Sequence, residues 1–322
     1  MKTNTEIYDQ YKTLHARFEN HTRLQNDPPL LAHYTSIPVL EKILRDKEIW
    51  LSNPLFMNDL HEMRFGLNEG ALIFDDNDLL KEAGGSSERA LKLAQYFKFY
   101  FSKFDTEAAF DTYIFCVSEH DKDDRDGLLS MWRGYGSQGN GAAIVFNPAN
   151  VTFIPNSILT LAIVSYGTTE KRITELRDAL KRWAQITASL EIPDSKLHLA
   201  SHAAFAFLRN YALTTKHSGF SEEREWRLIY LKDNDSEGLL RQSLGHHIGP
   251  RGVEPKLKLK IAPIAGVTSD DFSLDNLVHK IILGPSVSSP LAVQSVTRML
   301  EGIGSSGYKD RIEASSIPLR PT

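Results

Sequence analysis

The chain opens with Ile7, Tyr11, Leu14 and Phe18 at spacings of four, three and four, one face of a helix that "NDPP" then stops. Residues 1–30 therefore read as an N-terminal packing helix. A compact unit follows: "LLAHYT" is a short strand, "SIPVLEKILRDK" a helix with Ser36 as N-cap and Pro38 in its first turn, and "EIWLSN" a second strand. Residues 70–105 carry apolar positions at helical spacing, and "AGGSSE" at 83–88 breaks them into two helices. "FDTYIFCVSE" is the strongest strand signal of this half. After the polar run "HDKDDRDG", "LLSMWRGYG" reads as a helix ending on glycine, then comes the turn "SQGNG" and the strand "AAIVFN".

The second half keeps the alternation. "LTLAIVSYG" is a strand, "EKRITELRDALKRWAQITASLE" and "SKLHLASHAAFAFLRNYALTT" are amphipathic helices, and "EWRLIYL" is another strand. "KLKLKI" alternates with its lysines outward, "HKIILGPS" is a further strand, and "PLAVQSVTRMLEGIG" is a last helix. There is no internal repeat, and no linker is polar enough to mark a boundary. The expectation is one α+β domain over residues 31–322, built on a mixed, mostly antiparallel sheet with surrounding helices and a helical insertion at about 168–215.

Composition adds bounds. With 322 residues and 41% apolar content the chain can bury a substantial core, and its formal charge of −4 gives no reason to expect a nonspecific polyanion binder. The lone Cys116 forms no internal disulfide and, inside "YIFCVSE", reads as a buried small hydrophobe. The polar N-terminus lacks the apolar core of a signal peptide, and no run approaches membrane-spanning length, so the expectation is a cytoplasmic protein without membrane contact.

Three places combine polar residues with apolar frames beyond what packing requires. The first is His33-Tyr34-Thr35 with Ser52-Asn53 and Asn58-Asp59 downstream; the second is "MWRGYG" with Trp132 and Tyr135; the third is "SEEREWRLIYL". In a regular strand Glu223, Glu225 and Arg227 would point together, giving two carboxylates with an arginine that limits their repulsion, a cluster suited to a developing cation. An exposed cross-strand charge ladder, a core histidine and core aromatics are the plain alternatives for the same residues. No P-loop, GxGxxG, GxSxG or HExxH occurs, and the adjacent His246-His247 lack a thiolate partner, so no metal is expected.

Taken together, "HYTS…IL…IWLSNP…MND", "FCVSE…MWRGY", "EREWRLIY" and "KIILGP" resemble a bacterial family defined only as a domain of unknown function, over residues 31–286. More distantly, His33-Tyr34-Thr35 before "VLEKIL", the strand and aromatic helix "YIFCVSE…MWRGYG", and the glutamates opening a late strand are similar to ADP-ribosyltransferases of the His-Tyr-Glu type. That resemblance implies an ADP-ribosyltransferase-like fold and NAD as cosubstrate. The activity it implies is transfer of ADP-ribose to a nucleic-acid or protein acceptor, or hydrolysis of NAD. It implies that His33 holds a ribose hydroxyl, that Tyr34, Thr35, Ser52 and Asn53 help seat the nucleotide, and that Trp132 or Tyr135 stacks on nicotinamide. Glu225, with Arg227 beside it, would steady the ribose cation, and Glu223 would serve the acceptor. The competing expectation is a noncatalytic nucleic-acid or protein binding module of a defence or toxin system. In that reading "KLKLK", Arg241 and Arg251 meet phosphates, and Trp132 and Trp226 carry bases.

Overall fold

Alternating apolar positions in "LLAHYT", "TYIFCVSEH" and "EWRLIYL" become paired strands in the computed structural model, which describes residues 2–15, 21–57, 60–106, 108–152, 154–155, 157–249 and 252–319. Among the described residues the strands are, in chain order, β1 (Leu30–Thr35), β2 (Glu48–Ser52), β3 (Thr112–His120), β4 (Ala142–Phe146), β5 (Leu159–Ile163) and β6 (Ser165–Gly167). Then come β7 (Thr215–His217), β8 (Glu225–Leu231), β9 (Leu244–Gly249), β10 (Gly252–Lys260), β11 (Val278–Leu283) and β12 (Ile312–Ala314). The architecture is α+β, and the chain divides into two compact units. Residues 1–20, 53–112 and 162–221 form one; residues 21–52, 113–161 and 222–322 form the other.

The first unit is helical. Its helices Leu60–Phe74, Asn77–Gly84, Ser87–Thr106, Thr169–Ser189 and Leu197–Thr214 bury a core in which Phe74 stacks on Phe97 at 3.9 Å and Trp183 donates its indole N–H to the Ala200 carbonyl at 2.8 Å. Gly66 lets the first of these helices approach the last: a Cβ there would lie 2.9 Å from the Ala212 Cα. Two helices were expected over 70–105; a break at Asp75–Asp76 adds a third, and Gly85, at φ 73°, ends the middle one. The insertion expected at 168–215 is thus part of a larger helical unit that also takes 53–112. At the N-terminus Ile7, Tyr11 and Leu14 are buried as their spacing requires, but Ile7 and Leu14 sit on successive short helices, Asn4–Gln10 and Lys12–His15, with Tyr11 at the break between them; Phe18 lies outside the described residues. "LTLAIVSYG" is likewise two strands, and β6 pairs in parallel with β7.

The second unit carries the mixed, mostly antiparallel sheet, in the order β12-β11-β4-β1-β3-β2-β10-β9, with β8 pairing β3. The β11–β12 pairing is parallel, while β1–β3, β1–β4, β2–β10 and β9–β10 are antiparallel. Period two sorts β1 between the faces. Ala32 and Tyr34 join Val145, Ile282 and the helix Leu129–Gly134 through Met131 and Trp132 in one core cluster, so Leu31 and His33 project from the other face. The lysines of "KLKLK" do not all point outward: Lys256 is buried, paired with Glu254 at 3.1 Å and donating to Ser52 at 2.8 Å. Among the described residues no helix is long and apolar enough to cross a membrane.

Candidate functional site

Three contacts align β8 with β3. The Glu119 amide donates to the Arg224 carbonyl at 2.9 Å, the indole N–H of Trp226 donates to Glu119 Oε1 at 2.8 Å, and the rings of Tyr113 and Tyr230 lie 6.2 Å apart. Together they run the strands antiparallel with Ser118 opposite Glu225, and they put Trp226 on the Glu119 face. Glu225 and Arg227 therefore share the opposite face with Ser118. Ser118 pairs with Ala32, so this is the face that the helix Leu129–Gly134 covers.

On that face Arg227 grips Glu225 with both arms of its fork, Nε to Oε1 at 2.9 Å and Nη2 to Oε2 at 3.1 Å, and both residues are buried. They are not the exposed ladder that charged strand residues usually form. A planar guanidinium in this geometry keeps a carboxylate ionised away from water and fixes its orientation. Glu223 does not sit in register with them. It precedes the strand in a 3-10 turn, and Arg224, at φ 42°, takes the left-handed conformation that breaks the alternation. Arg224 itself pairs with both oxygens of Asp121, which holds the Asp121 carboxyl below its usual range.

Freed from the strand, half-buried Glu223 accepts a hydrogen bond from the Tyr135 hydroxyl at 3.0 Å. Tyr135 closes the C-terminus of the helix Leu129–Gly134 and is 42% exposed, whereas Trp132 on the same helix is fully buried and donates its indole N–H to the Asp126 carbonyl at 2.8 Å. The turn that follows is strained where the sequence is Gly-rich: Ser137 and Gln138 have φ of 51° and 55°, and a Cβ on Gly141 would lie 2.1 Å from the Thr35 carbonyl oxygen. This is how the backbone behind Tyr135 comes to lie against β1.

His33 is elsewhere. It projects from the face opposite Glu225, its ring tilted against Phe115 with centroids 4.3 Å apart, and its Nδ1 lies 3.0 Å from the Cys116 carbonyl. A carbonyl only accepts, so Nδ1 carries the proton and Nε2 is the acceptor. Burial lowers the His33 pKa to about 4, against the raising effect of that carbonyl. The pairing of His33 with Glu225 around one ribose, which the resemblance implied, is not the arrangement in this sheet; the alternation of β1 puts Tyr34, not His33, toward the Glu225 face.

The other expected residues are engaged by the fold. Tyr34 is buried, accepts from the Leu128 amide at 2.9 Å, meets Trp132 edge-on at 4.8 Å, and has its pKa pushed up to about 12 by burial. Thr35 is buried at the end of β1, opposite Ala142. Ser52 accepts from Lys256, and Asn53, fully buried in the helical unit, donates to the carbonyls of Ala109 and Thr112 and accepts from the Leu55 amide. Asn58, Asp59 and Arg251 lie outside the described residues. For base stacking, Trp132 and Trp226 offer no exposed ring, and Lys258 and Lys260 are drawn to Trp50 and Glu48. Cys116 is half-buried rather than enclosed.

Two residues of this site were missed by sequence reasoning. Ser118 is buried with its hydroxyl unpartnered among the described residues, and Asp121 braces Arg224. The alternation of "YIFCVSE" marks Ser118 as facing a different side from Glu119; only the β8 register adds that it lies across from Glu225.

A family profile described as "Protein of unknown function (DUF2971)" matches residues 131–228. That segment contains Trp132, Tyr135, Glu223, Glu225 and Arg227, and does not contain His33. No curated protein and no solved structure matches the chain.

Proposed function

We propose that the protein cleaves the bond between nicotinamide and ribose in NAD and passes the ADP-ribosyl group to water or to a nucleic-acid or protein acceptor, at the face of β8 that carries Glu225. The observation that carries this reading is the pairing of two carboxylates in unlike settings: Glu225, buried and clamped by Arg227, and Glu223, half-buried and bonded to the exposed Tyr135. Loss of nicotinamide breaks the C1′–N bond, the pair of electrons leaves with nicotinamide, and the ribose acquires oxocarbenium character. A carboxylate held rigidly beside that carbon lowers the barrier without covalent help. Glu225 takes this role. An acceptor hydroxyl adds at C1′ and gives its proton to Glu223, whereas an incoming water gives its proton to solvent. Tyr135 is the exposed aromatic at the site and supplies a ring face for nicotinamide. His33 has no part in the reaction.

The test is nicotinamide release by the full chain, with and without RNA, DNA and protein acceptors. Glu225→Gln is expected to lower release about 100-fold while NAD still shifts the melting temperature. Glu223→Gln is expected to spare hydrolysis and impair transfer, and Tyr135→Phe to keep the ring face while removing one hydrogen bond to Glu223. Release at the wild-type rate from folded Glu225→Gln would overturn the assignment. No release by the wild type, together with no melting shift on NAD, would leave the noncatalytic binding module.

A further inference from the structure

In the sheet-bearing unit a cleft of about 380 Å³ opens between the loop after β3 and the strands β11 and β12. Its volume is in the range of small-molecule sites, but its lining is charged. Lys122, Arg125, Lys280 and Arg311 line it together with His279, against the carboxylates of Asp123, Asp310 and Glu313. Four permanent cations against three anions make the cleft net positive in a chain whose formal charge is −4.

The cations are positioned rather than merely gathered. Lys280 is buried at the base, its ammonium donating to the Asp124 carbonyl at 2.7 Å and to Glu313 at 3.2 Å. Arg311 spends Nη1 on the carbonyls of Val278 and Asp275, and among the described residues its Nε and Nη2 meet no protein acceptor. The loop bearing Lys122 and Arg125 is tied at one end by the Asp121–Arg224 pair and at the other by the Leu128 amide on Tyr34. A loop pinned at both ends holds its side chains at lower entropic cost than a free one.

We infer that this cleft binds a small phosphorylated molecule through its phosphate groups. Two guanidinium forks and two ammonium groups suit the tetrahedral oxygens of a phosphate, and the near-absence of apolar lining argues against a ligand held by its hydrocarbon. At about 380 Å³ the cleft has room for a compact ligand rather than for a run of nucleic-acid backbone. The inference is independent of the reaction proposed above, because its readout is binding.

The experiment is titration calorimetry of the full chain at low salt with pyrophosphate and, separately, with sulfate. Pyrophosphate is expected to bind, and more tightly than sulfate. The double variant Lys122→Gln/Arg125→Gln removes two exposed charges, side chains 74% and 78% accessible, without touching the core. It is expected to weaken pyrophosphate about tenfold or more at an unchanged melting temperature. Absence of pyrophosphate binding to the wild type at millimolar concentration, equal binding of sulfate, or equal binding to the double variant would each overturn the assignment.

Discussion

Glu225 and Arg227, two residues apart on β8, face each other through two bonds of 2.9 and 3.1 Å while both stay out of water. A buried ion pair adds little net stability, but removing one partner strands the other charge. Glu225→Ala and Arg227→Ala are each expected to cost about 3–5 kcal/mol, and the double replacement Glu225→Met/Arg227→Met distinctly less than the sum of the two. Urea melts of the three variants measure this. Single costs below about 1 kcal/mol would mean the pair is solvated.

His33 makes a sign-definite prediction for pH. Its folded pKa of about 4 lies below the ordinary 6.5, so between those values the unfolded chain binds the extra proton. The stability from keeping His33 neutral is complete above 6.5 and is lost as pH falls toward 4. A ring-proton titration followed by NMR should show His33 neutral down to about pH 4, with the proton on Nδ1. A midpoint near 6.5 would mean that the half-buried ring is hydrated in solution.

Gly127 has φ 74°, and a Cβ there would lie 2.7 Å from the Tyr34 hydroxyl and 3.2 Å from the Trp132 indole nitrogen. Gly127→Ala is expected to destabilise by about 1–3 kcal/mol and to alter the Trp132 environment, read as a shift in tryptophan emission. An unchanged melt with unchanged emission would show that the loop absorbs the methyl group.

Ser118 buries a hydroxyl that has no partner among the described residues. Such a group contributes no hydrogen bond and has lost its water, so Ser118→Ala is expected to leave stability unchanged or to raise it by up to about 1 kcal/mol. Thermal denaturation decides it. A loss above about 1.5 kcal/mol would mean that the hydroxyl is bonded after all.

Much of the fold was legible because period two and period 3.6 are written in the apolar residues. "LLAHYT", "EIWLS", "TYIFCVSEH" and "EWRLIYL" were readable as strands, and the long helices at 169–189 and 197–214 as helices. The division into two units was not, since residues distant in sequence close one helical core and no polar linker separates them. At the site, alternation correctly paired Glu225 with Arg227 on a face. It failed for Glu223, because one left-handed arginine at 224 interrupts the pattern and nothing in the letter R announces a positive φ. It could not relate His33 to Glu225, because which faces coincide depends on a register between strands more than a hundred residues apart. Lys256 looked outward by the same alternation but is buried, its charge matched by Glu254 on its own strand.

The segmental make-up of the two units also bears on how the chain emerges from a ribosome. The helical unit draws on 1–20, 53–112 and 162–221, and the sheet-bearing unit on 21–52, 113–161 and 222–322. The helical unit therefore cannot close until Ser221 has been synthesised, and β2, made early, waits for β10 near the other end of the sequence. Early strands with open edges must stay soluble through most of translation, a period in which chaperone capture and slow elongation compete with misassembly. Because each unit is assembled from three separated segments, truncated pieces that lack any one of them are expected to give aggregates rather than folded halves.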